Sequence, residues 1–244
     1  MQATRRLYWL DDHCVTAEAV VTGIRESSVA VNQTCFYAGG GGQPADHGTI
    51  ERNGTMLDVT GMALDAAGVL WHHCGAPPDD SWLNQRVRLA LDAARREALS
   101  RYHTVLHVLN TIALRDYNAW ITGAQIAVDY ARIDFKWDGF TPAVCTELEG
   151  KINAELVANR RLIAYTLTED EFLRRPELLR TLEVKPPVVD GRVRVVEIEG
   201  FDAQACGGTH VSHTGELGIF RITRTENKGK INKRVYVGLG GLSA

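Results

Sequence analysis

The sequence predicts an α+β fold in two parts: a small N-terminal β-barrel, then an α+β core in which helices pack beside an antiparallel sheet. Three observations predict it. Up to about residue 75, short β-rich runs alternate with turn signals. Ala76-Pro77-Pro78-Asp79-Asp80 then breaks the pattern, because Pro-Pro stiffens the chain and resists both helix and central strand. Beyond it, apolar residues recur at three- and four-residue steps over long runs. The expected division is a barrel over residues 1–85 and a second domain over 86–244.

In the first part, strands are expected at 14–24, 28–36, 48–52, 56–59 and 68–73, parted by turns such as Asn53-Gly54 and Ala66-Ala67-Gly68. In the second, Asp92 is placed to cap a helix running to about residue 114. Its Leu99, Tyr102, Leu106 and Leu109 form one stripe, with His103 and His107 on a nearby face. Thr141-Pro142 opens a second helix, Thr141 as cap and Pro142 in first position, with Val144, Leu148, Ile152 and Leu156 as the buried stripe. Thr168 and Glu171 offer a capping box for a short third helix before Pro176. Strands at 124–137, 193–198, 217–222 and 234–237 supply the sheet, and helices grouped beside it make this part α+β. The chain has no internal repeat and no low-complexity tract.

At 244 residues and 45% hydrophobic content, the chain can bury one large core or two modest ones. No stretch approaches the roughly 20 apolar residues that span a bilayer, and residues 1–9 lack the apolar core of a signal peptide. A cytoplasmic protein with no membrane partner is expected, and no segment asks for an obligate protein partner. Cys14, Cys35, Cys74, Cys145 and Cys206 are odd in number and irregularly spaced, which suits a reducing compartment better than a disulfide framework.

Two pairs of metal-ligand residues stand about a hundred positions apart. His103-Thr104-Val105-Leu106-His107 lies in the helical run, where side chains at i and i+4 stack on one face and both imidazoles can reach one ion. Cys206-Gly207-Gly208-Thr209-His210 favours a tight loop that brings a thiolate and an imidazole together and leaves backbone N–H groups free to face a ligand. One Cys and three His fit zinc better than magnesium or calcium, which want oxygen. Thr104 stands where the H-E-x-x-H of zinc peptidases has its Glu general base, so a peptidase is disfavoured. His72-His73-Cys74 promises no second metal, since neighbours on a strand point to opposite faces.

The net charge of −3 argues against indiscriminate nucleic-acid binding, yet Arg221, Arg224, Lys228, Lys230, Lys233 and Arg234 face only Glu226. This basic run starts soon after the CGGTH loop and suits phosphates. A solvated strand and turn is the bland alternative.

His103 to Leu109, Ala131-Arg132-Ile133-Asp134-Phe135, Cys206 to Val211 and Thr214-Gly215-Glu216-Leu217-Gly218 resemble the editing domain of alanyl-tRNA synthetase. Phe36-Tyr37-Ala38-Gly39-Gly40-Gly41-Gly42-Gln43-Pro44-Ala45-Asp46-His47-Gly48 resembles the Gly-rich segment of the small domain before that core. The motifs cover nearly the whole chain, and their order is similar to that of the free-standing AlaX proteins of medium length. The metal code is shared with the editing domain of threonyl-tRNA synthetase; the Gly-rich segment favours the alanyl branch.

The resemblance implies hydrolysis, in trans, of the ester joining a wrong amino acid to the acceptor end of tRNA(Ala). Ser-tRNA(Ala) is the implied substrate and Gly-tRNA(Ala) a second. It also implies that His103, His107, Cys206 and His210 hold one zinc ion. Four protein ligands close the site, so either a ligand is displaced or the shell expands, or the ion positions loop and substrate while another group directs water. Positioning is favoured because an aminoacyl ester is already reactive.

Gln125 occupies a place where the family has a polar residue facing the amino acid or the terminal ribose; the alternative is a strand residue turned to solvent. Thr122 and Thr209 are the other candidates for contacting the serine hydroxyl. Gly39, Gly40, Gly41, Gly42 and Gln43 lack a P-loop pattern and are read as a flexible lip against the editing pocket or the CCA end, the alternative being a tight packing crossing. Gly207 and Gly208 are expected to face the substrate. His213 reads as a rim or capping residue, and Asp134 either as a support for a ligand histidine or as a partner of Arg132. Three other functions are kept open: a zinc-stabilised tRNA-binding module without turnover, an editor of Ser-tRNA(Thr), and a hydrolase of small esters or amides.

Overall fold

The computed structural model describes residues 2–180, 185–229 and 231–241. It divides into two compact units, Met1–Gly40 with Pro44–Glu97, and Gly41–Gln43 with Ala98–Ala244.

The first unit contains β1 (Arg5–Arg6), β2 (Thr16–Arg25), β3 (Ser28–Val31), β4 (Gln33–Thr34), β5 (Gly48–Arg52), β6 (Thr55–Leu64), β7 (Leu70–Cys74) and β8 (Arg86–Leu91). Six of them close an antiparallel barrel in the order β2-β3-β7-β6-β5-β8, while β1 pairs in parallel with β4. Irregularities in β2 between Val21 and Gly23 and in β6 between Val59 and Gly61 give these long strands the bends that closure needs. The barrel is filled by Val21, Val29, Val31, Phe36, Ile50, Val59 and Leu89. β8 closes it by pairing with both β2 and β5. The expected boundary at residue 85 therefore moves to Glu97, and Pro77-Pro78 lies within the barrel unit, between β7 and β8, instead of linking domains.

Asp46 and Arg96 form a buried ion pair in this unit. The Asp46 carboxylate also accepts the Tyr37 N–H at 2.7 Å, and Arg96 donates to the carbonyls of Cys35 at 2.7 Å and Asp12 at 2.9 Å. The guanidinium so gathers three chain segments.

Helix α1 (Ala93–Tyr117) begins behind Asp92, whose Oδ1 accepts the Arg95 N–H at 3.0 Å. The division between the units falls within this helix. The expected strand at 124–137 is instead a hairpin of β9 (Trp120–Ile126) and β10 (Ala131–Lys136), turning where Ala127 N–H donates to Tyr130 O at 2.8 Å. Helix α2 (Pro142–Val157) starts at Thr141, whose hydroxyl accepts the Val144 N–H, with Pro142 in the first turn.

β11 (Leu162–Thr168) precedes α3 (Glu169–Leu173), whose Thr168–Glu171 capping box is formed. β12 (Val188–Val189), β13 (Arg192–Ile198) and β14 (Asp202–Ala205) follow, then β15 (Ile219–Asn227) and β16 (Asn232–Gly240). One sheet runs β15-β16-β10-β9; the other runs β11-β13-β12, with β14 also on β13. Leu99, Val105, Leu109 and Ile112 of α1, Leu148 and Ile152 of α2, and Ile133, Phe135, Val235 and Val237 of the first sheet share one core. No described helix is long and apolar enough to cross a membrane.

Candidate metal centre

His103 and His107 sit one turn apart on α1, with ring centroids 5.1 Å apart. The antiparallel pairing of β14 with β13 ends where Cys206 N–H donates to Arg194 O at 3.0 Å, and the chain then turns through Gly207 and Gly208. Gly208 makes that turn possible. A Cβ there would lie 2.2 Å from Cε1 and 2.4 Å from Nδ1 of His103, a clash no side chain tolerates. The loop thus brings Cys206 and His210 to the helix, and the ligand atoms of His103, His107, Cys206 and His210 all lie within 4.8 Å of one another.

The four residues fit a metal ion. Cys206 Sγ is 3.5 Å from His103 Nε2 and 3.4 Å from His210 Nε2. Ligand bonds of about 2.0–2.3 Å would give tetrahedral edges of roughly 3.3–3.8 Å. Burial pushes the His103 imidazole down to about 3, helped by the Arg194 charge, and pushes His107 and His210 well below the usual histidine range. Neutral imidazoles are the form that binds metal.

Side chains around the cluster hold it in place. His103 Nδ1 is 2.7 Å from Gln43 Oε1, and His210 Nδ1 is 3.1 Å from Thr104 Oγ1. Gln204 donates to His107 O at 3.4 Å and to Thr111 Oγ1 at 3.2 Å. Arg194, 1% exposed, donates from Nη1 to the carbonyls of Gly208 at 2.7 Å and Cys206 at 3.3 Å. Sequence reasoning missed Thr104, Arg194 and Gln204 in these roles. A threonine inside the helical motif and a polar residue on β14 were signals, but their partners lie roughly a hundred residues away.

Comparison with known proteins gives the chain its relatives. A family model for the second additional domain of threonyl and alanyl tRNA synthetases matches residues 193–236, and one for class II (A) tRNA synthetases matches residues 8–95. The chain is 32% identical over 240 residues to the alanyl-tRNA editing protein AlaX-M of Methanosarcina acetivorans, covering 96% of this chain and 98% of that protein. The chain belongs to the AlaX family. The AlaX-M protein of Saccharolobus solfataricus is 32% identical over 234 residues, covering 96% of this chain and 98% of its own length. The alanine–tRNA ligase of Methanothrix thermoacetophila is 36% identical over 237 residues, which are 92% of this chain and 24% of that enzyme. The chain spans about a quarter of that ligase's length.

The other residues singled out in this AlaX chain are spread over several elements. Thr209 is fully buried, and its hydroxyl bonds to Gln43 Nε2 and Ser100 Oγ, each at 2.8 Å, so it is spent within the protein. Thr122 and Gln125 lie exposed on β9, where Gln125 Oε1 accepts Arg132 Nε–H at 2.9 Å. Asp134 pairs with Arg132 and with Arg234, taking the second of its two expected roles, while Gln43 and Thr104 are what bond to His103 and His210. His213 caps the turn at Thr214–Leu217, exchanging bonds with Glu216.

Gly39, Gly40, Gly41 and Gly42 all have positive φ. At Gly42 a Cβ would lie 2.6 Å from Ala124 O, and its carbonyl accepts the Ile126 N–H at 2.8 Å. Gly42 is thus a close backbone approach, whereas Gly41 has open space around it. Gln43, read as part of the lip, is 2% exposed with its amide turned inward. In the basic run, Arg224 and Lys228 share Glu226, Arg234 forks onto Asp134, and Lys233 donates to Asn227 at 2.7 Å. Arg221 is exposed, and Lys230 lies outside the described residues. His72 bonds to Thr34 and Val29, and no second metal cluster appears among the described residues.

Proposed function

We propose that this chain is a zinc-dependent deacylase that cleaves mischarged tRNA(Ala) in trans, with Ser-tRNA(Ala) as its substrate and Gly-tRNA(Ala) as a second. The observation that carries the reading is the buried cluster of three imidazoles and a thiol in a chain matched end to end by proteins named alanyl-tRNA editing protein. A borderline-soft donor set of this kind favours zinc.

In hydrolysis the water oxygen bonds to the ester carbonyl carbon, the bond to the ribose oxygen breaks, and that oxygen takes a proton. The zinc ion, when bound, supplies fixed positive charge that orders the CGGTH loop and polarises what lies against it. His103, His107 and His210 would each offer an imidazole nitrogen to the ion, and Cys206 its sulfur from the first residue of the loop. Gly207, half-buried between two buried neighbours, is the part of the loop that substrate reaches. Gln125 keeps its NH2 group for the substrate because Arg132 occupies only its Oε1. Thr122, on the same strand, is the hydroxyl candidate for serine. A site that pairs with the serine hydroxyl leaves polar groups unpaired when alanine enters, which can reject alanine by about four orders of magnitude.

Arg221, Arg224, Lys228 and Lys233, with Lys230 from the same run, are the proposed phosphate contacts near the acceptor end. Arg234 contributes less, because Asp134 neutralises it. The working compartment on this reading is the cytoplasm.

The burial of all four ligands also suits a tRNA-binding module in which the metal only folds the loop, and the shared threonyl–alanyl family model keeps Ser-tRNA(Thr) as a further substrate to try. The deciding experiment strips the protein of zinc, reloads it, and follows Ser-tRNA(Ala) with the tRNA in excess. Multiple turnovers that vanish without zinc and return with it support the deacylase. Binding without turnover favours the module.

A further inference from the structure

Gln43 and the four glycines before it are assigned to the substrate side by sequence, yet the Gln43 amide is buried and hydrogen-bonded at both ends. The backbone N–H of Thr209 lies 3.1 Å from Gln43 Oε1, and a backbone N–H can only donate, so that atom is the oxygen. The opposite end is then the NH2 group, 2.8 Å from Thr209 Oγ1, which accepts. With the amide so oriented, Nδ1 of His103, 2.7 Å from the same oxygen, must carry a hydrogen and donate it. A neutral imidazole protonated at Nδ1 has its lone pair on Nε2, the atom that faces Cys206 Sγ at 3.5 Å.

We infer that Gln43 is a positioning residue of the metal centre, which locks His103 in the metal-binding tautomer and fastens the CGGTH loop to it. One oxygen orients a ligand on α1 and ties down the loop that carries the other two-residue pair. Gly208 leaves the room for this arrangement, since a Cβ there would lie 2.8 Å from Gln43 Oε1. The Gly-rich segment thereby acts on the reaction through the metal site, in addition to any contact its exposed Gly41 makes. The inference rests on the metal reading of the four-residue cluster and not on the identity of the ester.

The test compares the full chain with Gln43→Leu, which keeps the bulk and loses the amide, and Gln43→Glu, which keeps an acceptor for both His103 and Thr209. Zinc affinity is read by competition with a chromophoric chelator, and the His103 tautomer by long-range proton–nitrogen NMR on zinc-free protein. The expected results are Nδ1 protonation in the wild type, zinc binding weakened by about ten- to a hundredfold in Gln43→Leu, and rescue by Gln43→Glu. Nε2 protonation in the wild type overturns the inference, as does unchanged affinity in Gln43→Leu or equal damage in both variants. If Gln43→Leu does not fold, the wild-type tautomer and the Gln43→Glu affinity still decide. Failure of the wild type to bind zinc while His103 keeps its Nδ1 proton sinks the metal reading and leaves the tautomer assignment standing.

Discussion

Thr104 Oγ1 lies 3.1 Å from His210 Nδ1, joining the helical motif to the loop motif through their non-ligating atoms. The hydroxyl donates to Ser100 O at 2.8 Å and accepts the Val211 N–H at 3.3 Å. Its one hydrogen is therefore used, and the hydrogen shared with His210 sits on the imidazole. The residue that replaces the glutamate of a peptidase motif is what orients His210, one of the four residues that could hold a metal ion.

Thr104→Val keeps the shape and removes the acceptor. Zinc affinity should fall by about ten- to a hundredfold, and Thr104→Ser should retain most of it. Chelator competition reads both; equal affinity in Thr104→Val and the wild type would show that His210 needs no such partner.

Gly208→Ala places a methyl group within 2.4 Å of the His103 ring, and the ring has no freedom to retreat while Gln43 holds it. The expected cost is about 1–3 kcal/mol of stability, together with loss of tight zinc binding. Denaturant titration with and without zinc checks it. Gly41→Ala is the control for space, since nothing lies within 4 Å of a Cβ there, although the positive φ at Gly41 adds some strain.

The buried Arg96–Asp46 pair predicts an asymmetry. Asp46→Ala leaves a guanidinium without its carboxylate in the barrel unit and should cost about 3–5 kcal/mol in urea unfolding. Removing both charges, as in Asp46→Leu with Arg96→Met, should recover part of that loss. A double variant worse than the sum of the singles would contradict this account.

His72 makes the stability of the first unit depend on pH. Burial pushes it down to about 4, and its two ring nitrogens meet Thr34 Oγ1 at 2.8 Å and Val29 O at 3.1 Å. The unfolded chain takes up this proton near pH 6.5 and the folded one only near 4, so between those values the unfolded state binds more protons. Stability should fall as pH drops through that window, by about 1.4 kcal/mol per unit from this residue. His72→Gln should flatten the slope of unfolding free energy against pH; an unchanged slope would remove His72 as its source.

What the sequence reveals and what it hides differ in range. The i,i+4 spacing of His103 and His107 and the two glycines between Cys206 and His210 are local signals, and the fold brings these four residues together as that spacing implies. The caps at Asp92, Thr141 and Thr168 are local too, and each is formed. β14 is hidden because Asp202-Ala203-Gln204-Ala205 has no β-branched residue and becomes a strand only by pairing with β13. β8 alternates buried and exposed residues but follows a Pro-Pro segment that reads as a linker. The support of His103 by Gln43 spans 60 positions and that of His210 by Thr104 spans 106, so no local pattern announces either. Gln125 shows the converse, a polar strand residue whose side chain meets Arg132 at the surface.

The most direct measurement follows Ser-tRNA(Ala), Gly-tRNA(Ala) and Ala-tRNA(Ala) in parallel, with zinc-loaded wild type and Cys206→Ala below the tRNA concentration. Rapid loss of Ser-tRNA(Ala), loss of Gly-tRNA(Ala), survival of Ala-tRNA(Ala), and a Cys206→Ala protein that clears none of the three are expected. Survival of all three charged tRNAs in the presence of zinc-loaded wild type would contradict the deacylase reading.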